Sequence, residues 1–325
     1  MEVNKNYFIK FCYMLLLLLI LIINRINLMK NNFKIINPVL YSRETFDQIK
    51  PKYDNKKENL VMKLKEYYFI NGLIRFYKPK KILEIGVCSG GMSAAILNAI
   101  KDFKDSRLYS CDLEKYNYLV NKKEFKVGHF VYKNFRNLMD KWKLYTGNTT
   151  SAFIEEIGGN IDFVFIDSAH VMPGEVLNII EILPFLKENA IIAFDDINQQ
   201  TRPHLAKIPY LYTSNNVLFS VLKGKKILYD KNDLLSKQGA IFLESNQKKY
   251  YFDIFYLLLH NWSYMPHYFE LNTIRKLVKK YYSPYLLFIF DEAIKLNYKL
   301  LKLKGLLNKD YILYTLKIKR KNPFK

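Results

Sequence analysis

The sequence predicts an α/β fold with a doubly wound, seven-stranded and mostly parallel sheet. Two observations predict it: short apolar runs recur between residues 81 and 243, and longer amphipathic segments separate most of these runs. Strands that alternate with helices imply βαβ crossovers, which place consecutive strands parallel to one another. Half of the 325 residues are hydrophobic, so the chain can bury the large core that such a fold needs.

The first predicted helix covers residues 58–77, where apolar residues recur with a mostly helical period, and Pro79 ends it. The predicted strands cover residues 81–85, 108–111, 143–146, 161–166, 190–194, 226–229 and 240–243. Three further helices are predicted between strands, at residues 92–99, 151–157 and 174–186. Because ligands bind outside the carboxyl ends of the strands in such sheets, the residues just after each strand form the candidate site.

The N-terminal segment differs from this central region. An apolar run extends from Phe11 to Ile23, somewhat shorter than the roughly 20 residues that a spanning helix prefers. No small-x-small cleavage site follows the run, so we predict an uncleaved membrane anchor and its flank over residues 1–34. A slight excess of basic residues after the run predicts that the rest of the chain is cytosolic.

The central domain is predicted over residues 35–245, and a second change of character follows it. Residues 246–325 are dense in aromatic residues and lysine and predict a helical extension. The sequence leaves open whether this extension caps the sheet, forms a lid over the site or faces a membrane.

Composition limits the function classes. The net charge is +21, but the basic residues are spread along the chain and lysine far outnumbers arginine, so nucleic acid is not the favoured partner. Three cysteines are too few for a disulfide framework, and neither cysteine nor histidine clusters as a zinc site requires.

A glycine-rich turn follows the first predicted strand, in the pattern E-x-G-x-x-x-G-G from Glu84 to Gly91. Glycines let the chain turn tightly and let a ligand approach the backbone. The turn alone would also suit a nicotinamide dinucleotide or simple packing, although it lacks the G-x-G-x-x-G spacing. Asp112 ends the second strand, where a carboxylate could accept ribose hydroxyls or only cap a turn. Asn148 follows the third strand, where it could face an adenine.

Together these residues resemble the class I S-adenosylmethionine (SAM)-dependent methyltransferases, over about residues 60–244. The resemblance implies a Rossmann-like sheet with an antiparallel last strand, SAM as the cofactor, and a role for Glu84 in fixing the loop beside the methionine moiety. Without the resemblance, Glu84 is equally a salt-bridge partner at a strand end. The implied cofactor-binding residues are Glu84, Gly86, Ser89, Gly90, Asp112 and Asn148.

Three carboxylates follow the fourth and fifth strands: Asp167, Asp195 and Asp196. At one sheet edge they would repel one another unless a cation lay among them, and Mg²⁺ suits oxygen ligands. The pattern is similar to the metal-dependent O-methyltransferases of the catechol and antibiotic-sugar types. That resemblance implies that these three residues bind the metal, which would lower the pKa of an acceptor hydroxyl.

The predicted catalytic residues are Asp167 and His170. His170 is a candidate general base, because its ordinary pKa lies near neutrality. It could equally orient Asp167 or cap the next helix. The catechol-type enzymes place a lysine shortly after this aspartate, and here none follows, so either His170 or the metal alone would serve.

These observations predict a SAM-dependent O-methyltransferase for a sugar or other small molecule, with a membrane-anchored chain and a cytosolic catalytic domain. The expected partners are a small-molecule or glycan acceptor and, through the N-terminus, a membrane; whether the chain forms a homo-oligomer is left open. The alternatives are a non-catalytic scaffold of the same fold and an RNA-modifying enzyme. The fourth strand is not followed by the Asn/Asp-Pro-Pro-Tyr/Phe motif of base amino-methyltransferases.

Overall fold

A computed structural model of the protein describes residues 38–53, 60, 62–117, 125–198, 212–228, 237–244 and 246–307. Its centre is a single seven-stranded sheet. The strands are β1 Lys81–Ile85, β2 Arg107–Asp112, β3 Trp142–Thr146, β4 Ile161–Ile166, β5 Leu186–Phe194, β6 Gly224–Leu228 and β7 Gly239–Leu243.

The strand order across the sheet is β3-β2-β1-β4-β5-β7-β6. Strands β1 to β5 pair in parallel, whereas β7 lies between β5 and β6 and is antiparallel to both. The predicted doubly wound sheet with an antiparallel last strand is therefore confirmed. The chain reverses its direction of progress between β1 and β4, which is where ligands bind in such sheets.

Helices cover both faces of this sheet, so its strands are buried on each side. The α-helices are α1 Pro38–Phe46, α2 Lys50–Tyr53, α3 Leu64–Tyr77, α4 Gly91–Ile100, α5 His129–Asn134, α6 Ile154–Ile157, α7 Gly174–Ile182, α8 Asn215–Val221, α9 Tyr251–Leu257, α10 Tyr268–Tyr281 and α11 Pro284–Leu303. One apolar cluster contains residues of the sheet and of the five helices from α1 through α5. A second apolar cluster contains residues of the sheet, of α7 and of the helices from α8 onward.

The predicted helix over residues 174–186 ends earlier than expected. Helix α7 stops at Ile182, a 3₁₀ turn covers Leu183–Phe185, and β5 begins at Leu186. Pro184 lacks the backbone N–H that a continuing α-helix would use, which explains the stop. The first part of β5 was not predicted because residues 187–189 are polar and exposed.

Residues 246–307 are largely helical and pack on the sheet face that α7 also covers. Trp262 is 1 % exposed within the apolar cluster that contains Ile166 and Ile192 of the sheet. The Tyr282 hydroxyl donates a hydrogen bond to the Ile180 carbonyl of α7 at 2.5 Å. The described part of the predicted extension thus shares its core with the sheet.

The predicted membrane-anchored location requires correction. Across the described ranges, no helix combines the length and the apolar character that crossing a membrane requires. The longest of these helices, α11, carries charged side chains from Asp291 onward and packs against α9 and α10. The segment to which the anchor was assigned, residues 1–34, lies outside the described residues.

Candidate active site at the carboxyl edge of the sheet

The glycine-rich loop after β1 runs directly against the end of β4. Gly86 has a φ of +91°, and a Cβ built there would lie 1.9 Å from the carbonyl oxygen of Asp167. Gly90 has a φ of +89°, and its Cβ would lie 2.9 Å from the Cα of Gly128. Any side chain at either position would therefore displace backbone, which explains both glycines.

Asp112 at the end of β2 holds this loop in place. Its Oδ2 accepts hydrogen bonds from the backbone N–H groups of Val87 and Cys88, both at 2.9 Å, and its Oδ1 accepts one from Glu114 at 2.8 Å. Burial raises the pKa of Asp112, and the three backbone donors oppose that shift. Asp112, the residue predicted to bind ribose, therefore contacts the loop backbone, and its Oδ1 keeps acceptor capacity for a further hydrogen bond.

Glu84 lies in β1, two residues before Gly86 of the loop. Its Oε2 accepts hydrogen bonds from the hydroxyls of Ser93 in α4 and Ser110 in β2, both at 2.6 Å, and Trp142 donates to Ser110 at 2.8 Å. The residue is fully buried, and burial raises its pKa to about 7. This arrangement joins β1 to β2 and to the helix that follows the loop.

The other predicted cofactor residues lie at the same edge. The Ser89 hydroxyl accepts a hydrogen bond from the side-chain amide of Asn117 at 2.9 Å. The Asn148 side-chain oxygen accepts one from the N–H of Thr149 at 2.9 Å.

Gly86, Asn148 and Asp167 follow three different strands and are each only half-buried, whereas the strand ends before them are mostly buried. The edge is therefore accessible where the strands end.

His170 connects the carboxylates that follow β4 and β5. Its Nε2 lies 3.4 Å from Asp167 Oδ1, and its Nδ1 lies 3.8 Å from Asp196 Oδ2. Its backbone N–H donates to the buried carboxylate of Glu175. Burial favours the neutral imidazole, but Asp167 and Asp196 outweigh that effect, and the pKa of His170 is raised.

The predicted pair of Asp167 and His170 is thus brought together. Asp167 is itself perturbed, since burial and the nearby Asp195 hold its pKa well above the usual range. Asp195 is 2 % exposed and its pKa is raised by burial. This cluster of carboxylates around one imidazole is suited to holding and moving a proton.

Two residues of the cluster were not predicted from the sequence: Lys237 and Glu66. The Lys237 Nζ lies 2.8 Å from Asp195 Oδ2, 3.3 Å from Glu66 Oε2 and 3.5 Å from Asp196 Oδ1. Glu66, in the first turn of α3, also accepts a hydrogen bond from the N–H of Lys63 at 2.8 Å. The sequence did indicate that the carboxylates of Asp167, Asp195 and Asp196 need a cation. It did not indicate Lys237, which lies more than 40 residues from each of them in the chain.

The predicted Mg²⁺ site finds no support in this arrangement. Among the described residues, no group of three or more His, Cys, Asp or Glu side chains is placed to hold a metal ion. An ammonium group already lies within hydrogen-bond distance of Asp195. The residues present therefore do not fit a divalent metal as they stand.

The edge does fit SAM in the features that the structure describes. The loop turns tightly at Gly86 and Gly90 at the carboxyl end of β1, and α4 begins at Gly91 directly after it. The predicted SAM-binding residues Glu84, Gly86, Ser89, Gly90, Asp112 and Asn148 all lie at or beside this edge, and Asp112 binds the loop backbone.

Residues 83–197 match the model of a protein family described as a methyltransferase domain. No curated protein shows significant similarity to the chain. Among solved structures, it resembles an O-methyltransferase from Bacillus cereus in complex with S-adenosylhomocysteine (SAH) at 13 % identity, covering 62 % of this chain and 96 % of that one, with a TM-score of 0.43.

Two further solved structures are similar at comparable levels. The O-methyltransferase TomG from Streptomyces achromogenes, involved in tomaymycin synthesis and in complex with SAM, is 14 % identical over 67 % of this chain and 95 % of that one, with a TM-score of 0.40. The SAH-bound methyltransferase PaMTH1 from Podospora anserina is 18 % identical over 68 % and 94 %, with a TM-score of 0.41.

The assignment rests on the family match together with the strand order. The match begins in β1 and ends just after β5, so it spans the glycine loop, Asp112 and the carboxylates of the candidate site. Residues 83–197 accordingly match a methyltransferase domain, and the sheet that contains them has the strand order of the class I, Rossmann-like methyltransferase fold.

Proposed function

We propose that the protein transfers the methyl group of SAM to a hydroxyl oxygen of a small molecule, with His170 as the general base. The observation that carries this proposal is the position of the His170 imidazole. It lies beside Asp167, whose carbonyl oxygen packs against the glycine loop that would hold SAM. These contacts support His170 as a proton acceptor beside the expected methyl donor.

The chain's own residues account for the proton. SAM, when bound, supplies a methyl carbon activated by a positively charged sulfur. His170 accepts the hydroxyl proton as the acceptor oxygen forms its bond to the methyl carbon and the carbon–sulfur bond breaks, which releases SAH and the methyl ether. The carboxylates of Asp167 and Asp196 stabilise the imidazolium that results.

The acceptor that we propose is a small-molecule hydroxyl, with sugars and glycans as the first compounds to test. A deprotonating base is needed for a hydroxyl nucleophile, because a neutral hydroxyl is a weak one. Base-assisted transfer therefore favours an oxygen acceptor. The described residues give no support to metal assistance, which the sequence also predicted.

The test uses the full chain and His170→Asn. Asparagine tolerates the positive φ of +63° at this position, so the backbone should be preserved. Radiolabelled methyl transfer to a panel of hydroxylated small molecules should fall by roughly 10²–10⁴-fold in the variant, while SAM binding stays intact.

The matched control is His267→Asn, which changes an exposed histidine before α10. Equal methyl transfer by wild type and His170→Asn would remove His170 as the base. SAM binding with transfer to none of the hydroxyl compounds would contradict the proposed acceptor class.

A further inference from the structure

The carboxylates after β5 are enclosed by protein. Asp195 and Asp196 are 2 % and 6 % exposed, and Glu66 from α3 is 3 % exposed. Buried carboxylates without a positive partner repel one another and are costly to ionise. A cation of some kind is therefore needed here for these groups to be charged.

Lys237 already supplies that cation from within the chain. Its ammonium carries three N–H donors and lies within 2.8–3.5 Å of three carboxylates, those of Asp195, Glu66 and Asp196. The attraction of these carboxylates outweighs the effect of burial and raises the pKa of Lys237, which keeps the ammonium charged.

The backbone fixes Lys237 in this place. Strand β7 pairs antiparallel with β5, with Gly239 opposite Phe194, so the residues before β7 run alongside those after β5. The N–H of Ile197 donates to the carbonyl of Lys237 at 3.0 Å, directly after Asp195 and Asp196. The ammonium is therefore delivered by a paired backbone segment.

We propose that Lys237 is a resident counter-cation that takes the place of a divalent metal at the end of β5, so that the protein binds no metal there. Mg²⁺ needs carboxylate oxygens at about 2.0–2.1 Å in octahedral geometry. Lys237 occupies the space in front of Asp195 and Asp196 instead. The consequence for catalysis, methyl transfer without a metal, rests on the proposed function.

The first arm of the test measures metal binding by the full-length wild type, by electron paramagnetic resonance with Mn²⁺ alone as the probe. We expect no saturable Mn²⁺ site, and an equal melting temperature in Mg²⁺ and in chelator. One equivalent of tightly bound Mn²⁺ that is lost in Asp195→Asn would overturn the proposal.

The second arm removes the ammonium with Lys237→Met. The melting temperature should fall by roughly 5–10 °C, because the variant leaves buried carboxylates without their partner. Asp195→Asn should then cost much less in Lys237→Met than in wild type. Lys225→Met, on the exposed side of β6, is the control and should change little.

If Lys237→Met alone fails to fold, recovery of folding in the Lys237→Met/Asp195→Asn double variant supports the proposal. An unchanged melting temperature in Lys237→Met, with strictly additive effects in the double variant, would contradict it. Neither arm contains SAM, so both test the role of Lys237 independently of methyl transfer. A failure of methyl transfer in every condition would count against the proposed function only.

Discussion

At the residue scale, folding changes the acid–base chemistry of Glu84. It is fully buried and its pKa rises to about 7, whereas the ordinary value is 4.5. Between these two values the unfolded chain releases the proton and the folded chain keeps it. The free energy of unfolding therefore falls as pH rises from about 4.5 to about 7, by roughly 3 kcal/mol for this group.

Glu84→Gln tests this at the residue scale, because glutamine mimics the protonated carboxyl. Wild type should lose roughly 2–3 kcal/mol of unfolding free energy between about pH 5 and pH 8 because of Glu84, and the variant should not. The difference in unfolding free energy, variant minus wild type, should therefore increase by that amount. Urea denaturation at the two pH values measures it, with the exposed Glu188→Gln as the control. An identical pH dependence for wild type and Glu84→Gln would mean that Glu84 is ionised in the folded protein.

At the scale of the element, the glycine loop joins β1, β2 and β4 into one unit. The loop's backbone is bonded to Asp112, and Gly86 packs against the Asp167 carbonyl. A methyl group at Gly86 would both clash with that carbonyl and meet an unfavourable φ. Disturbing this loop should therefore affect the ligand site before it affects the rest of the sheet.

The elements also show what sequence patterns can predict. Strands β1 and β4 have the predicted bounds because their residues are apolar and buried, and the position of Asp167 and His170 after β4 followed from that. Helix α5 was missed because six residues give too short a period to detect. Lys237 was missed because its role depends on the antiparallel pairing of β7 with β5, which local pattern does not reveal.

At the scale of the whole molecule, the helices after residue 250 and the sheet share one core. The backbone N–H of Trp262 donates to the Asn297 side chain at 2.9 Å, and its indole N–H donates to the Leu258 carbonyl at 2.8 Å. Its ring lies in the apolar cluster that also includes Ile166, Phe194 and Val176. The described residues should therefore unfold together.

Trp262→Ala should lower the unfolding free energy by about 3–5 kcal/mol, since it empties a fully buried site. Calorimetry should show one transition, shifted to lower temperature. Phe252→Ala, at a half-exposed aromatic of α9, should shift it far less. Two separate transitions, with only one of them moved by Trp262→Ala, would show that these helices form an independent unit.

The central claim is that the carboxyl edge of this sheet binds SAM, and calorimetric titration of the full chain with SAM tests it most directly. We predict saturable one-to-one binding to wild type, loss of that binding in Gly86→Ala, and retention in Gly305→Ala. Gly305 also has a positive φ, of +65°, but has open space where a Cβ would lie, so it controls for backbone strain alone. Absence of SAM binding to the folded wild type would contradict the account and leave a methyltransferase-like fold without its cofactor.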